Sequence, residues 1–320
     1  MEETCNIERE VFPDLEERFL EPEGWKWGYF TNKDGAKLRY GHISPTHPKN
    51  TIVLVHGFTE FSEKYFETIK EFIVDGYAVW SMDWHGQGGS DRYLKDSLKP
   101  YSLGFEHDVS DLHRFVKEIV KVSRPILVAH SFGGHIGLRA LHDYKDLFCC
   151  AILTAPMIDV YTCPYPRWLA STLVRVASVL GLSKVIADHG SDWRLKVPCI
   201  DFDPRSHDPV RRTVHFKYCE QKPELRLGNT TFGWTNKMFE SIRLITELGF
   251  LSSITTPVLI GCPMADKIVK ADMQEWAVNE MPNAHISKID NARHELWMES
   301  DIYRKQWKDA VKAFLSDYQD

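Results

Sequence analysis

The segment Arg124-Pro-Ile-Leu-Val-Ala-His-Ser131-Phe-Gly-Gly-His135 carries the clearest structural signal in the chain. An apolar run leads without a turn residue into Ala129, then Ser131, then Gly133 and Gly134, and helix-forming residues continue to about Tyr144. Small residues two before and two after a serine are what a strand and a helix need when their backbones nearly touch across a sharp turn. Such a turn lifts the serine hydroxyl above a sheet edge. The helix opening after Ser131 points free N–H groups and its positive dipole end at that hydroxyl, which favours a developing anion. Ala129 stands where glycine is usual and adds little bulk. Taken alone, the segment also fits a serine that merely caps a helix.

Its surroundings favour the first reading. Short apolar runs at 51–55, 77–82, 125–129, 149–154, 257–261 and 286–289 suit strands buried on both faces. Before them, 25–31 and 38–43 read as a hairpin turned at Lys33-Asp34-Gly35. Between them, 63–75, 105–120 and 302–318 place apolar residues at spacings of three and four, the rhythm of helices packed on one side. Alternating strands and helices predict an α/β fold: a mostly parallel central sheet of about eight strands, helices on both faces. The rhythm breaks at 157–250, where helix-like segments such as 168–186 and 210–221 occur without a strand-like run. That length is too great for a loop and predicts an inserted helical lid, with 1–156 and 251–320 forming the core.

A serine is a weak nucleophile until a base, itself held by an acid, takes its proton. After run 257–261 comes Cys262-Pro-Met-Ala-Asp266, and after run 286–289 comes Asp290-Asn-Ala-Arg-His294. The order Ser131, Asp266, His294 is that of the α/β-hydrolases, and each residue falls where a loop leaves a strand's carboxyl end. Asp272 and Asp290 are rivals for the acid, but one falls in the next helix and the other beside its strand. His285 precedes its strand at the wrong edge. In Val55-His56-Gly57-Phe58-Thr59-Glu60 a strand ends in a loop whose main chain can meet a substrate oxygen. The main-chain N–H groups of Phe58 and Phe132 are therefore the expected oxyanion donors, with His56 a structural hydrogen-bonder. The loop Asp83-Trp-His-Gly-Gln-Gly-Gly-Ser90 lacks the Lys-Ser/Thr of a phosphate loop and opens no helix, so it reads as a tight turn beside the site.

Composition narrows the class. The 39 Lys and Arg against 45 Asp and Glu leave a net charge of −6, which disfavours nucleic acid as a partner. Hydrophobic residues at 43% and charged residues at 26% exclude a disordered or fibrous chain. Seven cysteines, Cys5, Cys149, Cys150, Cys163, Cys199, Cys219 and Cys262, form no C-x-x-C pair and read as reduced thiols without a zinc site. Residues 1–10 are acidic and lack the regions of a signal peptide, and the longest apolar stretch, 169–187, is broken by Arg175, Ser178 and Lys184. The expectation is a cytoplasmic protein.

Together, residues 56–60, 83–90, 129–134, 265–269 and 292–295 resemble the bacterial lysophospholipase and monoacylglycerol lipase branch of the α/β-hydrolases. So do 208–212, 223–228 and 232–234 in the insert, and the similarity runs from about Trp25 to the carboxyl end. The resemblance implies hydrolysis of a single-acyl-chain ester through Ser131, His294 and Asp266, with no metal or organic cofactor and residues 157–250 as lid. Trp168, Leu169, Leu173, Val176 and Leu180 form an apolar stripe flanked by Arg175 and Lys184. It either packs onto the main domain or lines an acyl groove or a membrane contact at the inner face. Trp168, Leu173, Trp234 and Met238 are the expected substrate contacts. A carboxylesterase for small non-lipid esters and a non-catalytic binding protein on the same fold are the alternatives. An epoxide or haloalkane hydrolase would need an aspartate where Ser131 stands.

Overall fold

Thr51–Val55 (β3), Ile126–His130 (β5), Ala151–Thr154 (β6) and Val258–Pro263 (β7) are buried along their whole length. Strands without a polar face need cover on both sides, and the fold supplies it. The computed structural model describes residues 14–187 and 203–318; the acidic leader 1–10, Cys5 and Cys199 lie outside them.

Among the described residues the sheet has eight strands in the order β1-β2-β4-β3-β5-β6-β7-β8. The others are β1 (Lys26–Thr31), β2 (Lys37–Ile43), β4 (Ala78–Met82) and β8 (Ala284–Ile289). β1 with β2 and β2 with β4 run antiparallel, and every later pairing is parallel. Alternate residues point to opposite faces. Val53, Val55, Leu127, Leu153 and Ile260 join one apolar cluster, completed by helices α2 (Phe105–Arg114), α3 (Phe132–Asp143) and α7 (Ala271–Glu280). Ile52, Leu54, Val128, Ile152 and Leu259 join the other, closed by α1 (Phe66–Val74) and α8 (Asp301–Ser316).

All eight strands lie where the sequence puts them, to within a few residues. β8 begins at Ala284, so His285 lies inside the strand instead of before it. Helix 105–120 ends in a wider turn over Phe115–Val120, closed by Lys121 in the left-handed region at φ 58°.

Between β6 and β7 the described residues form α4 (Arg167–Ala177), α5 (Arg211–Gln221) and α6 (Phe232–Ile245). α5 is anchored beside α1: Arg211 meets both carboxylate oxygens of Glu67 at 2.7 and 2.9 Å, and Tyr218 packs against Phe61 and Phe66. α6 lies over α2 and α3, where Ser241 Oγ is 2.6 Å from His135 Nε2 and accepts from Arg139 at 3.0 Å. Segment 168–186 is not one helix. α4 stops at Ala177, and the following turn is broken at Gly181 with φ 85°. Of α4 only Val174 is buried, so the apolar stripe does not pack down on the main domain: Trp168 is 69% exposed, Leu180 71% and Val179 80%.

Candidate active site

Ser131 joins β5 to α3 with φ 50° and ψ −111°, outside the ordinary regions for a residue with a side chain. Its main chain is held on both sides, the N–H donating to Thr154 O at 2.9 Å and the carbonyl accepting from Met157 at 3.0 Å. The turn tolerates no side chain where it crosses the next strand. A Cβ on Gly133 would stand 2.6 Å from the carbonyl oxygen of His56 and 2.8 Å from that of Val55. This close approach is why glycine follows the serine at that spacing.

Three loops converge on the hydroxyl. His294 Nε2 lies 3.0 Å from Ser131 Oγ, and its Nδ1 lies 2.6 Å from Asp266 Oδ2. Asp266 is aimed by its own loop, since its Oδ1 accepts from the N–H groups of Ile268 and Val269 at 2.7 and 3.1 Å. The carboxylate fixes the proton on Nδ1 and leaves Nε2 free to accept from the serine. Burial works against the imidazolium, but Asp266, followed by Glu295 and Glu60, outweighs it and raises the His294 pKa above the ordinary histidine value. Asp272 sits in the first turn of α7 and Asp290 just beyond β8, and neither bonds to His294.

The loop after β3 is pinned on either side of Phe58. Gly57 N–H donates to Glu60 Oε2 at 2.6 Å, and Thr59 N–H donates to Gln87 Oε1 at 2.7 Å. Phe58 N–H stands between them. Phe132 opens α3, so its N–H is a first-turn donor without an intrahelical acceptor. The loop 83–90 supports this arrangement: Gln87 holds Thr59, while Asp83 accepts from Arg39, Ser62 and Gly89. His56 is fully buried, its Nδ1 2.7 Å from Gly57 O and its Nε2 3.4 Å from Asp83.

A family model described as "Serine aminopeptidase, S33" matches residues 46–301. The chain belongs to the S33 family of serine hydrolases. This S33 chain is 25% identical over 294 residues to a protein named "Probable lysophospholipase L2" from Haemophilus influenzae, covering 90% of this chain and 91% of that one. It is 27% identical over 278 residues to a monoacylglycerol lipase of Mycolicibacterium smegmatis, covering 85% and 91%. Its fold is that of a soluble variant of monoglyceride lipase from Saccharomyces cerevisiae, with TM-score 0.71, 19% identity and coverage of 92% and 94%. The α/β-hydrolase fold read from the sequence is the fold of this S33 chain.

A cavity of about 320 Å³ opens beside Ser131 and His294, lined by Phe58, Thr59, His130, Arg205, His215 and Asn229 among others. Its floor holds a buried ionic group that sequence reasoning missed. Lys64 Nζ lies 2.5 Å from Glu60 Oε1 and 2.7 Å from Glu295 Oε2, and Tyr65 donates to Glu60 at 2.7 Å. The signal was the pair Glu60 and Lys64, one helical turn apart just after the His-Gly loop. From the insert, the carbonyls of Pro204 and Arg205 accept from the N–H groups of His294 and Glu295 at 3.4 and 2.9 Å. Trp234 is buried with its ring 4.0 Å from Phe58 and 5.9 Å from Phe132, and Met238 joins the same cluster. None of the four residues expected as substrate contacts lines this cavity: Trp168 and Leu173 stand on the outer surface of α4, and Trp234 and Met238 are packed in the core.

Proposed function

We propose that this S33 chain hydrolyses the carboxylic ester of a single-acyl-chain lipid, a lysophospholipid or a monoacylglycerol, by acyl transfer through Ser131. The observation that carries the reading is the line from the Ser131 hydroxyl through His294 to Asp266, with steps of 3.0 and 2.6 Å from a serine in a strained elbow. His294 Nε2 takes the hydroxyl proton as Oγ attacks the ester carbonyl, while Asp266 steadies the imidazolium. The tetrahedral oxyanion rests on the N–H groups of Phe58 and Phe132, each such donor contributing ~100- to 1000-fold in rate. Collapse breaks the bond to the leaving alcohol, which takes its proton from His294. Water then attacks the acyl-enzyme with His294 as base, the fatty acid leaves, and Ser131 regains its proton. None of these steps draws on a metal or an organic cofactor.

Lipid as substrate is supported by the names of the relatives and by the outward apolar face of α4 beside Arg175. That face, with Val179 and Leu180, is the surface through which the enzyme would meet a lipid interface. Among the described residues no helix is long and apolar enough to cross a membrane. The modest cavity favours a second reading, an esterase for small non-lipid esters. Fluorophosphonate labelling of wild type but not Ser131→Ala, with ester hydrolysis rising from acetyl to long acyl chains, is the expected result. Flat or falling rates along that series favour the second reading. Labelling of Ser131→Ala equal to wild type defeats both.

A further inference from the structure

We propose that the pocket beside His294 admits head groups without net negative charge and rejects a phosphomonoester, so that it takes an acylglycerol or a zwitterionic lysolipid in preference to an anionic one. This rests on the reading that the site cleaves single-chain lipid esters. It concerns the leaving-group side, because the group that receives the His294 proton must lie against His294, and that is where the polar cavity lies.

The charges there are already matched, with carboxylates in excess. Lys64 is buried between Glu60 and Glu295. Arg205 binds both oxygens of buried Asp203, through Nε at 2.9 Å and Nη2 at 2.7 Å, and its guanidinium lies 4.8 Å over the Phe216 ring. Asp266 is occupied by His294. Arg212 Nη1 also stands 3.9 Å from Asp203, so three cations face four carboxylates, and with His294 neutral the group of described residues sums to 3 − 4 = −1. Burial pushes His130 and His215 down to about 3, so at neutral pH both rings are uncharged and add nothing to the positive side.

A phosphomonoester, largely dianionic above pH 7, would have to shed water against this surplus, and among the described residues of the group each cation already has a carboxylate partner. Glycerol hydroxyls need only donors and acceptors, which Thr59, Asn229 and His215 offer around the cavity. A choline or ethanolamine head group carries its own ammonium, which the carboxylate side attracts.

The test uses short-chain lipids, kept monomeric below their aggregation threshold so that surface charge plays no part. With one acyl chain at pH 8, kcat/KM is measured for the monoacylglycerol, the lysophosphatidylcholine and the lysophosphatidic acid. The expected kcat/KM for lysophosphatidic acid is at least tenfold below that of the monoacylglycerol, with the lysophosphatidylcholine nearer the latter. Glu295→Gln removes one negative charge and should narrow the ratio, whereas Arg205→Gln removes one positive charge and should widen it. Opposite shifts in two variants separate electrostatics from general damage, and if one fails to fold the other still gives a sign. A ratio below tenfold in wild type, or no shift in a folded variant, overturns the proposal. Hydrolysis of none of the three, with Ser131 still labelled by fluorophosphonate, would instead sink the lipid-ester reading and this inference with it.

Discussion

The ammonium of Lys64 stands 2.7 Å from the carboxylate of Glu295, the residue that follows His294, and 2.5 Å from that of Glu60, two residues beyond Phe58. One buried cation thus ties the loop that offers an oxyanion donor to the loop that carries the base. Glu60 extends the tie by accepting the N–H of Gly57 at 2.6 Å. The bridge adds to the bonds from Gln87, Pro204 and Arg205 that hold the same two loops.

Lys64→Met should accordingly strand two buried carboxylates. Breaking a buried ionic cluster by removing one partner typically costs about 3–5 kcal/mol. The expected outcome in urea unfolding is a loss of that order, with activity falling further than stability explains. Lys64→Arg, which keeps the charge, should recover part of both.

Activity and this histidine's contribution to stability should run in opposite directions with pH. His294 must be neutral to accept the serine proton, and its pKa lies above the ordinary value of 6.5. The acid limb of kcat/KM is therefore expected above the ordinary histidine range, with activity rising as pH passes upward through the raised value. A group whose folded pKa is raised stabilises the fold below its unfolded pKa, and that stabilisation is lost as pH rises through the folded value. Asp266→Asn removes the main counter-charge and leaves burial to dominate, so the acid limb should move down while kcat drops by about 10⁴-fold. A pH–rate profile of both proteins checks the direction.

Ser131 holds an unfavourable backbone for the sake of its hydroxyl. Its φ of 50° and ψ of −111° suit glycine, and such strain costs on the order of 1–3 kcal/mol. Ser131→Gly and Ser131→Ala should both abolish fluorophosphonate labelling, but only the glycine relieves the backbone. Thermal unfolding should place Ser131→Gly above Ser131→Ala by the equivalent of about 1 kcal/mol.

The fold was legible wherever burial imposed a pattern. Strands such as Thr51–Val55 are apolar on both faces because helices cover both, and α8 shows its stripe of Trp307, Val311, Phe314 and Leu315 because only one side packs. The elbow was legible because steric contact at Gly133 leaves little freedom in residue type. The Glu295 half of the Lys64 group was not, since an ion pair across loops distant in sequence leaves no periodicity to set beside the Glu60–Lys64 spacing. Nor was the break of segment 168–186, where glycine at Gly181 supplies a positive φ inside an otherwise helical pattern. The stripe on α4 left both its readings open for a related reason. Amphipathic spacing states that one face is apolar but not what lies against it.

That face can be tested without touching the site. Val179 and Leu180 are 80% and 71% exposed, so removing their side chains should leave the packed core intact. Beside them, Arg167, Arg175 and Arg243 line a surface groove between α4 and α6 together with Trp168 and Phe239. Each apolar group inserted at a lipid boundary contributes roughly 0.8 kcal/mol per buried methylene, and arginines near an anionic surface add attraction that salt weakens. The double variant Val179→Ser, Leu180→Ser should sediment less with anionic vesicles, while its melting temperature and its rate on a soluble short-chain ester stay within error of wild type. Raising salt should weaken wild-type binding in part, leaving the apolar share. Equal sedimentation of variant and wild type would remove α4 from the interface and return its apolar stripe to an ordinary exposed surface.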